Sequence, residues 1–472
     1  MSRPPNIVWI TLDSLRYDRT TMSGYRRDTT PNLARLASGG RSFSECTAHS
    51  NFTLVSAPSI LTGTYPSHHG VGMGINDRLP ESVPTVAELL SAAGYHTGCI
   101  SEIARVSDAT GLDRGFDTFE FTFNRSGTDH LAEKGRAMGS HLMENVLPNI
   151  SNFVYDSRGL TNGFGLKYTT EMARSYVRAR EGEPFFLYLH AVGPHYPYRP
   201  PASFLRRYTD DISMNPSAAI EFMMGVYGND ESINRAIANR APFTDEEWEA
   251  LSALYDAEIA YADHCTGALV DDIRRSVDDE TVFVITSDHG DLFGERDLIA
   301  HKLVLHDGLV QVPLVTHGLE TICAIDSGVP IQHADLMTTF VAEAGGDSES
   351  LQGLDLRSEQ REAAITQLSP NEPSFDSFRD HDPAFDTGRF HATTATAVRT
   401  AEFKYERSDD KRVLYKLPDE TTDVSEVHPD IVDELERIGS TWVERIGDPV
   451  IADRNAEFTD RMQQQLEDLG YL

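Results

Sequence analysis

The sequence predicts an α/β fold: a doubly wound, mainly parallel sheet flanked by helices, followed by a small C-terminal antiparallel sheet with a helix. Three observations predict it. Two apolar runs, NIVWITLD at 6–13 and TVFVITSDHG at 281–290, have the unbroken hydrophobicity of strands covered on both faces, and each delivers an acidic residue at its carboxyl end. Shorter runs at 98–101, 185–190 and 312–316 alternate with helical stretches at 83–93 and 244–275, as a doubly wound sheet requires. From about residue 391 the pattern changes to short runs at 395–399, 403–407 and 412–416, with SDDK as a hairpin turn between the last two, and a helix starts near Pro429.

Taken in order, the first strand ends at Asp13, and hydroxyl residues at 53–59 precede an apolar helical segment. The stretch 244–275 places Leu251, Leu254, Ile259, Ala262, Leu269 and Ile273 near helical spacing. The segments 124–180 and 202–242 are helical or irregular and rich in Gly, Asn and Ser, which reads as insertions over the sheet ends. The segment 369–388 has no periodicity and reads as a linker or an active-site loop. The expected organisation is a catalytic domain over 1–390 and a C-terminal α+β subdomain over 391–472. Open α/β sheets bind ligands outside the carboxyl ends of their strands, so Asp13 and the Asp288–His289 pair can converge on one metal or phosphate group.

Composition narrows the function. The balance of 41 basic to 74 acidic residues, a net charge of −33, argues against nucleic acid or an anionic membrane as partner. Only six of the basic residues are lysines, and so acidic, lysine-poor a surface fits a halophilic, very salty cytosol. Residues 1–5 lead straight into the first strand and no run of about 18 apolar residues exists, so a cytoplasmic protein is expected. The four cysteines show no CxxC spacing, which predicts reduced, mostly buried thiols. Nothing in the sequence fixes an oligomeric state.

TLDSLRYD at 11–18, TTPNLARLA at 29–37, ILTGTYPSHHGV at 60–71, LDRGFDTF at 112–119, PFFLYLHAVGPHYPY at 184–198, SDHGDLFGE at 287–295 and VPLV at 312–315 together resemble the sulfatase family of the alkaline phosphatase superfamily. FKYERSDDKRVLYKL at 403–417 is similar to that family's C-terminal subdomain. The resemblance implies an alkaline-phosphatase-like fold and a metal-dependent hydrolase of sulfate esters, phosphodiesters or phosphonate esters, acting on a small-molecule or glycan ester. A group transferase and a catalytically dead binding protein are the rival readings.

Residue by residue, the resemblance implies a hydroxyl nucleophile nine positions before the TG pair, which is Thr53, with Ser56 as its rival because SAPS imitates the family's (C/S)xPS signature. It implies metal ligation by Asp13, Asp288, His289 and Thr53, and contact with the substrate anion or leaving group by His195, His301 and Lys302. A second acid of the family is replaced by Ser14. Two carboxylates, an imidazole and a hydroxyl suit one divalent cation, manganese before calcium or magnesium, because calcium prefers six to eight oxygens. Thr53 cannot become formylglycine, Ala57 stands at the family's arginine, and Glu102 and Ala104 stand where a lysine and a histidine are usual. These departures move the expectation toward an unmodified-Thr branch acting on phosphodiesters or phosphonates. His68, His69, His190, Asp256 and Asp263 are read as structural.

Overall fold

A run of seven residues with no polar side chain beyond Asn6 and Thr11 must be covered on both faces, and β1 (Asn6–Leu12) is buried along its whole length at the centre of the sheet. The structure, a computed structural model, describes residues 4–122, 163–180, 182–277, 280–369 and 374–469. Besides β1 the seven-stranded sheet comprises β2 (Arg41–Phe43), β3 (His96–Ser101), β4 (Thr118–Phe121), β5 (Phe185–Ala191), β6 (Thr281–Thr286) and, further along the chain, Leu314–His317. Two residues each at Leu292–Phe293 (β7) and Ile299–Ala300 (β8) form a separate ribbon, so Leu314–His317 is β9. The strand order is β2-β9-β6-β1-β5-β3-β4. From β6 to β4 every pairing is parallel.

The 312–316 run departs from the parallel style of its neighbours: β9 is antiparallel to β6, and β2 antiparallel to β9. The chain reaches β9 from the end at which β6 finishes, without a crossover helix spanning the sheet, so it can only run back. Alternating side chains feed two cores. Val8, Ile10, Leu12, Leu187 and Leu189 pack with the 32-residue helix Asp245–Ser276, whose start is fixed by a Thr244/Glu247 capping box. Ile7, Trp9, Phe186, Tyr188 and Val284 pack with helices Thr53–Thr62 and His333–Glu343 on the other face.

The small antiparallel sheet is present but begins earlier than residue 391. Its order is β10 (Ala364–Leu368), β11 (Ala395–Arg399), β12 (Phe403–Arg407) and β13 (Arg412–Lys416), with the hairpin closed by Ser408 N–H donating to Lys411 O at 2.8 Å. β10 is separated from its partner β11 by a long segment, so no hairpin turn marks it in the sequence as one marks β12 and β13. Helix Pro429–Ile446 covers it through Leu435 and Trp442, and helix Asp460–Asp468 docks back on the main sheet, where Gln465 Oε1 accepts from Ala104 N at 2.7 Å. Residues 202–242 form three helices, Ala202–Thr209, Pro216–Tyr227 and Asp230–Ala238. Much of the expected insertion at 124–180, and residues 370–373 of the expected loop, lie outside the described residues. Cys46, Cys99 and Cys265 are free and buried, and Cys323 is free and partly exposed.

Candidate active site

The carboxyl ends of β1, β5 and β6 meet the start of helix Thr53–Thr62. The two acidic turns are stitched together: Leu15 N–H donates to Ser287 Oγ at 2.8 Å, and that hydroxyl donates to His289 O at 2.6 Å. Ser14 takes a left-handed φ of 65°, held there by Tyr255, whose hydroxyl donates to Ser14 O at 2.6 Å. A non-glycine residue in that region is strained, and here the strain turns the chain immediately after Asp13.

Asp13, Thr53, Asp288 and His289 are brought together, all fully buried. Thr53 Oγ1 lies 3.4 Å from Asp13 Oδ2 and 3.1 Å from His289 Nε2, and that nitrogen is 3.2 Å from Asp13 Oδ1 and 3.7 Å from Asp288 Oδ2. His289 Nδ1 faces the carbonyl of Gly290 at 2.9 Å and can only donate to it, so in the neutral ring the Nε2 lone pair is directed at the acids. Ser56, the rival hydroxyl, is used up in its own loop, donating to Ser50 O at 3.1 Å and accepting from Ser50 N at 3.2 Å.

The electrostatics are those of a site that attracts positive charge. Burial and the neighbouring Asp13 both raise the Asp288 carboxyl. Burial would raise Asp13 as well, but His195, His289 and His190 outweigh it and hold that group at about 2. Burial disfavours a charged His289, yet Asp288 and Asp13 together raise it to about 9. With no other ion, a proton on His289 answers the two acids. Asp288 Oδ2 has no hydrogen-bond partner although it is buried. An orphaned carboxylate oxygen beside an imidazole lone pair and a hydroxyl fits a divalent cation.

His195 and His301 line the same space. Their rings are 5.1 Å apart, and His301 is 4.6 Å from the ring of His289. His195 Nδ1 donates to Tyr196 O. His301 Nδ1 meets Asp291 Oδ1 at 3.0 Å, and its backbone carbonyl accepts from Asn51 at 3.1 Å, which ties its loop to the Thr53 turn. Burial keeps both rings below the ordinary histidine range. Lys302 is different: its ammonium is paired with Asp230 and donates to Asn234 Oδ1 at 3.0 Å, so its charge is already compensated by the helix Asp230–Ala238.

Two neighbours escaped sequence reasoning. His190, read as structural, presents Nε2 3.7 Å from Asp288 Oδ2, and ligand-type atoms of Asp13, His190 and Asp288 lie within 4.8 Å of one another. Its position at the end of a strand next to that of Asp13 was a usable signal. Asp291, two residues after His289, is the partner that orients His301. His69 is engaged by Ser59 at 2.9 Å, and Asp263 accepts from Asn32 N at 3.0 Å and Leu33 N at 2.8 Å, so both are structural as read. Glu102 turns its carboxylate to Val192 N at 2.8 Å and to the Thr169 hydroxyl at 2.6 Å.

The model of the family described as Sulfatase matches residues 5–346. The chain belongs to the sulfatase family. Among curated relatives, an arylsulfatase of Clostridium perfringens is 25% identical over 418 residues, covering 80% of this chain and 83% of that one. A choline-sulfatase of Rhizobium meliloti is 25% identical over 343 residues, covering 66% and 62%. Among solved structures, the phosphonate monoester hydrolase from Silicibacter pomeroyi superposes with a TM-score of 0.68 at 21% identity, covering 94% of this chain and 96% of that one. This sulfatase-family protein is thus an ester hydrolase with an alkaline-phosphatase-like fold. Among its described residues no helix is long and apolar enough to cross a membrane.

Proposed function

We propose that the protein is a single-cation hydrolase of sulfuric or phosphoric esters that works through a covalent Thr53 ester and turns over phosphodiesters or phosphonate monoesters faster than sulfate monoesters. The observation that carries this reading is the convergence of Thr53 Oγ1 with two buried carboxylates and the Nε2 of His289. Asp13, Asp288, His289 and Thr53 would hold the cation, manganese by their donor chemistry, with calcium or magnesium as alternatives. When bound, it supplies positive charge that favours the Thr53 alkoxide and neutralises a nonbridging oxygen.

Thr53 attacks in line at phosphorus. The Oγ1–P bond forms while the bond from phosphorus to the alcohol oxygen breaks, the hydroxyl proton of Thr53 ending, by way of His195 or His301, on the departing alcohol, and water later cleaves the Thr53 ester and restores the hydroxyl. Thr53 opens its helix, where unpaired amides favour negative charge on the oxygen. His195 and His301 are neutral in the free protein, and an anionic ester beside them raises their basicity, so the proton they gain is the one handed to the leaving alcohol. Lys302, paired with Asp230, anchors the loop that carries His301.

A sulfated threonine lacks the second hydroxyl through which formylglycine expels sulfate, so it must wait for water to attack sulfur, whereas a phosphorylated threonine presents an electrophile that cationic groups activate. In an assay of nitrophenyl sulfate, phosphate diester and phosphonate esters, kcat/KM for the diester or phosphonate should exceed that for the matching sulfate. Thr53→Ala should lose essentially all turnover while staying folded, and Ser56→Ala should keep most of it. The reverse pattern in these two variants, or faster sulfate hydrolysis by protein with unmodified Thr53, would overturn the reading.

A further inference from the structure

Two histidines border the acidic pair, and their hydrogen-bond partners dictate opposite tautomers. β1 and β5 are in register with Trp9 beside Tyr188 and Thr11 beside His190, so these four side chains share one face of the sheet. The Trp9 indole N–H can only donate, and it donates to Thr11 Oγ1 at 3.0 Å. The Thr11 hydroxyl spends its own proton on the oxygen of Tyr188, 3.3 Å away. The phenol, which accepts that bond, has its proton left for its other partner, His190 Nδ1, at 3.0 Å. Nδ1 therefore accepts, and the ring proton sits on Nε2, the nitrogen that faces Asp288 Oδ2 at 3.7 Å. A nitrogen that carries a proton has no lone pair to give a cation. His289 is the converse case, since its Nδ1 faces the Gly290 carbonyl and, in the neutral ring that a cation would meet, its Nε2 lone pair faces Thr53 and Asp13.

We infer that His190 is a positioning residue and not a metal ligand: the relay Trp9–Thr11–Tyr188 fixes its Nε2–H toward Asp288 Oδ2, orienting the carboxylate oxygen that also faces His289 Nε2 and the cation site. This rests on the metal site proposed above. The contact at 3.7 Å is an ion–dipole contact, longer than a hydrogen bond, while Asp288 Oδ1 is held separately by the backbone N–H of His289 at 3.1 Å. Outer partners of this kind are worth about 10–100-fold in metal affinity. Tyr188 touches neither acid through any hydrogen bond of its own, yet it decides which nitrogen of His190 is protonated.

The test uses the full chain loaded with Mn2+, reading affinity by calorimetry and bound imidazole nitrogen by pulsed electron paramagnetic resonance, with circular dichroism to confirm folding. Wild type should show nitrogen coupling from one ring. His289→Gln should remove it, and His190→Gln should leave it unchanged. His190→Leu, which presents no donor, should weaken Mn2+ binding about 10-fold or more, with His190→Gln restoring part of the loss through its amide N–H. Tyr188→Phe should also weaken binding, because Nδ1 loses the donor that fixed the tautomer. Loss of a nitrogen coupling in His190→Gln, or unchanged affinity in both His190→Leu and Tyr188→Phe, would overturn the inference. Retention of the full coupling in His289→Gln, or no Mn2+ bound by folded wild type, would instead overturn the metal site itself and the role of His190 with it.

Discussion

Asp13 and Asp288 are buried side by side, and two carboxylates in that position repel unless something positive lies between them. Asp13→Ala and Asp288→Ala should each lose the bound cation, because the remaining donors no longer compensate its charge. Elemental analysis of the purified variants checks this, and unchanged metal content in both would refute the assignment. Glu102 offers a second residue-scale test. Burial raises it to about 7 from 4.5, against the opposing pull of the Thr169 and Val192 hydrogen bonds. Between those two pH values the folded protein holds a proton that the unfolded chain releases, so stability falls as pH rises through the window and levels off above it. Each pKa unit is worth about 1.4 kcal/mol. Glu102→Gln removes this penalty, so its Tm should gain on that of wild type between pH 5 and pH 8. A constant difference across that range would show that Glu102 titrates normally.

The loop that presents His301 stores strain and is held from outside. Arg296, Asp297, Ala300 and Leu303 have φ values of 52°, 58°, 60° and 72°, a conformation that non-glycine residues keep only when neighbours enforce it. The neighbours belong largely to the C-terminal sheet. Arg296 faces Glu406 and Glu420 at 3.8 Å, and Arg389 donates to the Arg296 carbonyl. Lys404 on β12 is fully buried, donating to Leu305 O at 2.7 Å and to Asp307 Oδ1 at 3.0 Å, and is paired with Glu420. Arg399 on β11 pairs with the same Asp307 at 2.9 Å. An appended sheet thereby positions a loop of the active site. Lys404→Met fills the same space but removes the close partner of buried Glu420, leaving Arg296 at 3.8 Å as its nearest permanent cation, and breaking a buried pair costs roughly 3 kcal/mol or more. It should lower Tm and also reduce kcat/KM, since the loop carrying His301 loses its anchor. A variant as stable and as active as wild type would show that the C-terminal sheet does not support the site.

At the scale of the molecule, charge is the dominant property. A net charge of −33 makes the folded chain repel itself, and salt screens that repulsion over about 10 Å at 0.1 M and about 3 Å at 1 M. Exposed pairs such as Arg35–Asp271 and Arg454–Glu81 contribute little and are screened in turn, so the acidic excess decides the sign. The melting temperature should therefore rise from dilute buffer to molar potassium chloride. A Tm that stays level or falls over that range would count against a salt-adapted surface.

The sequence by itself determined the strands that build the site and the residues at their ends. Burial on both faces demands unbroken apolar runs, so β1, β5 and β6 announce themselves, and Asp13 and the Asp288–His289 pair follow at once because a strand must end in something polar. Thr53 was legible through its spacing to Thr62, and the hairpin through its turn residues. β2, β4 and β10 were not legible, because each is stabilised by a partner distant in sequence and none adjoins a hairpin turn of the kind that marks β12 and β13. Only tertiary structure could decide that β9 runs backward, that Lys302 is paired with Asp230, that Asp291 orients His301, and that His190 stands beside Asp288. These depend on which side chains meet across strands and loops far apart in the chain, as Thr11 meets His190 through the register of β1 on β5. Hydrophobic pattern is a local property and survives in the sequence. The tautomer of an imidazole belongs to its hydrogen-bond partners, and those exist only once the sheet has formed.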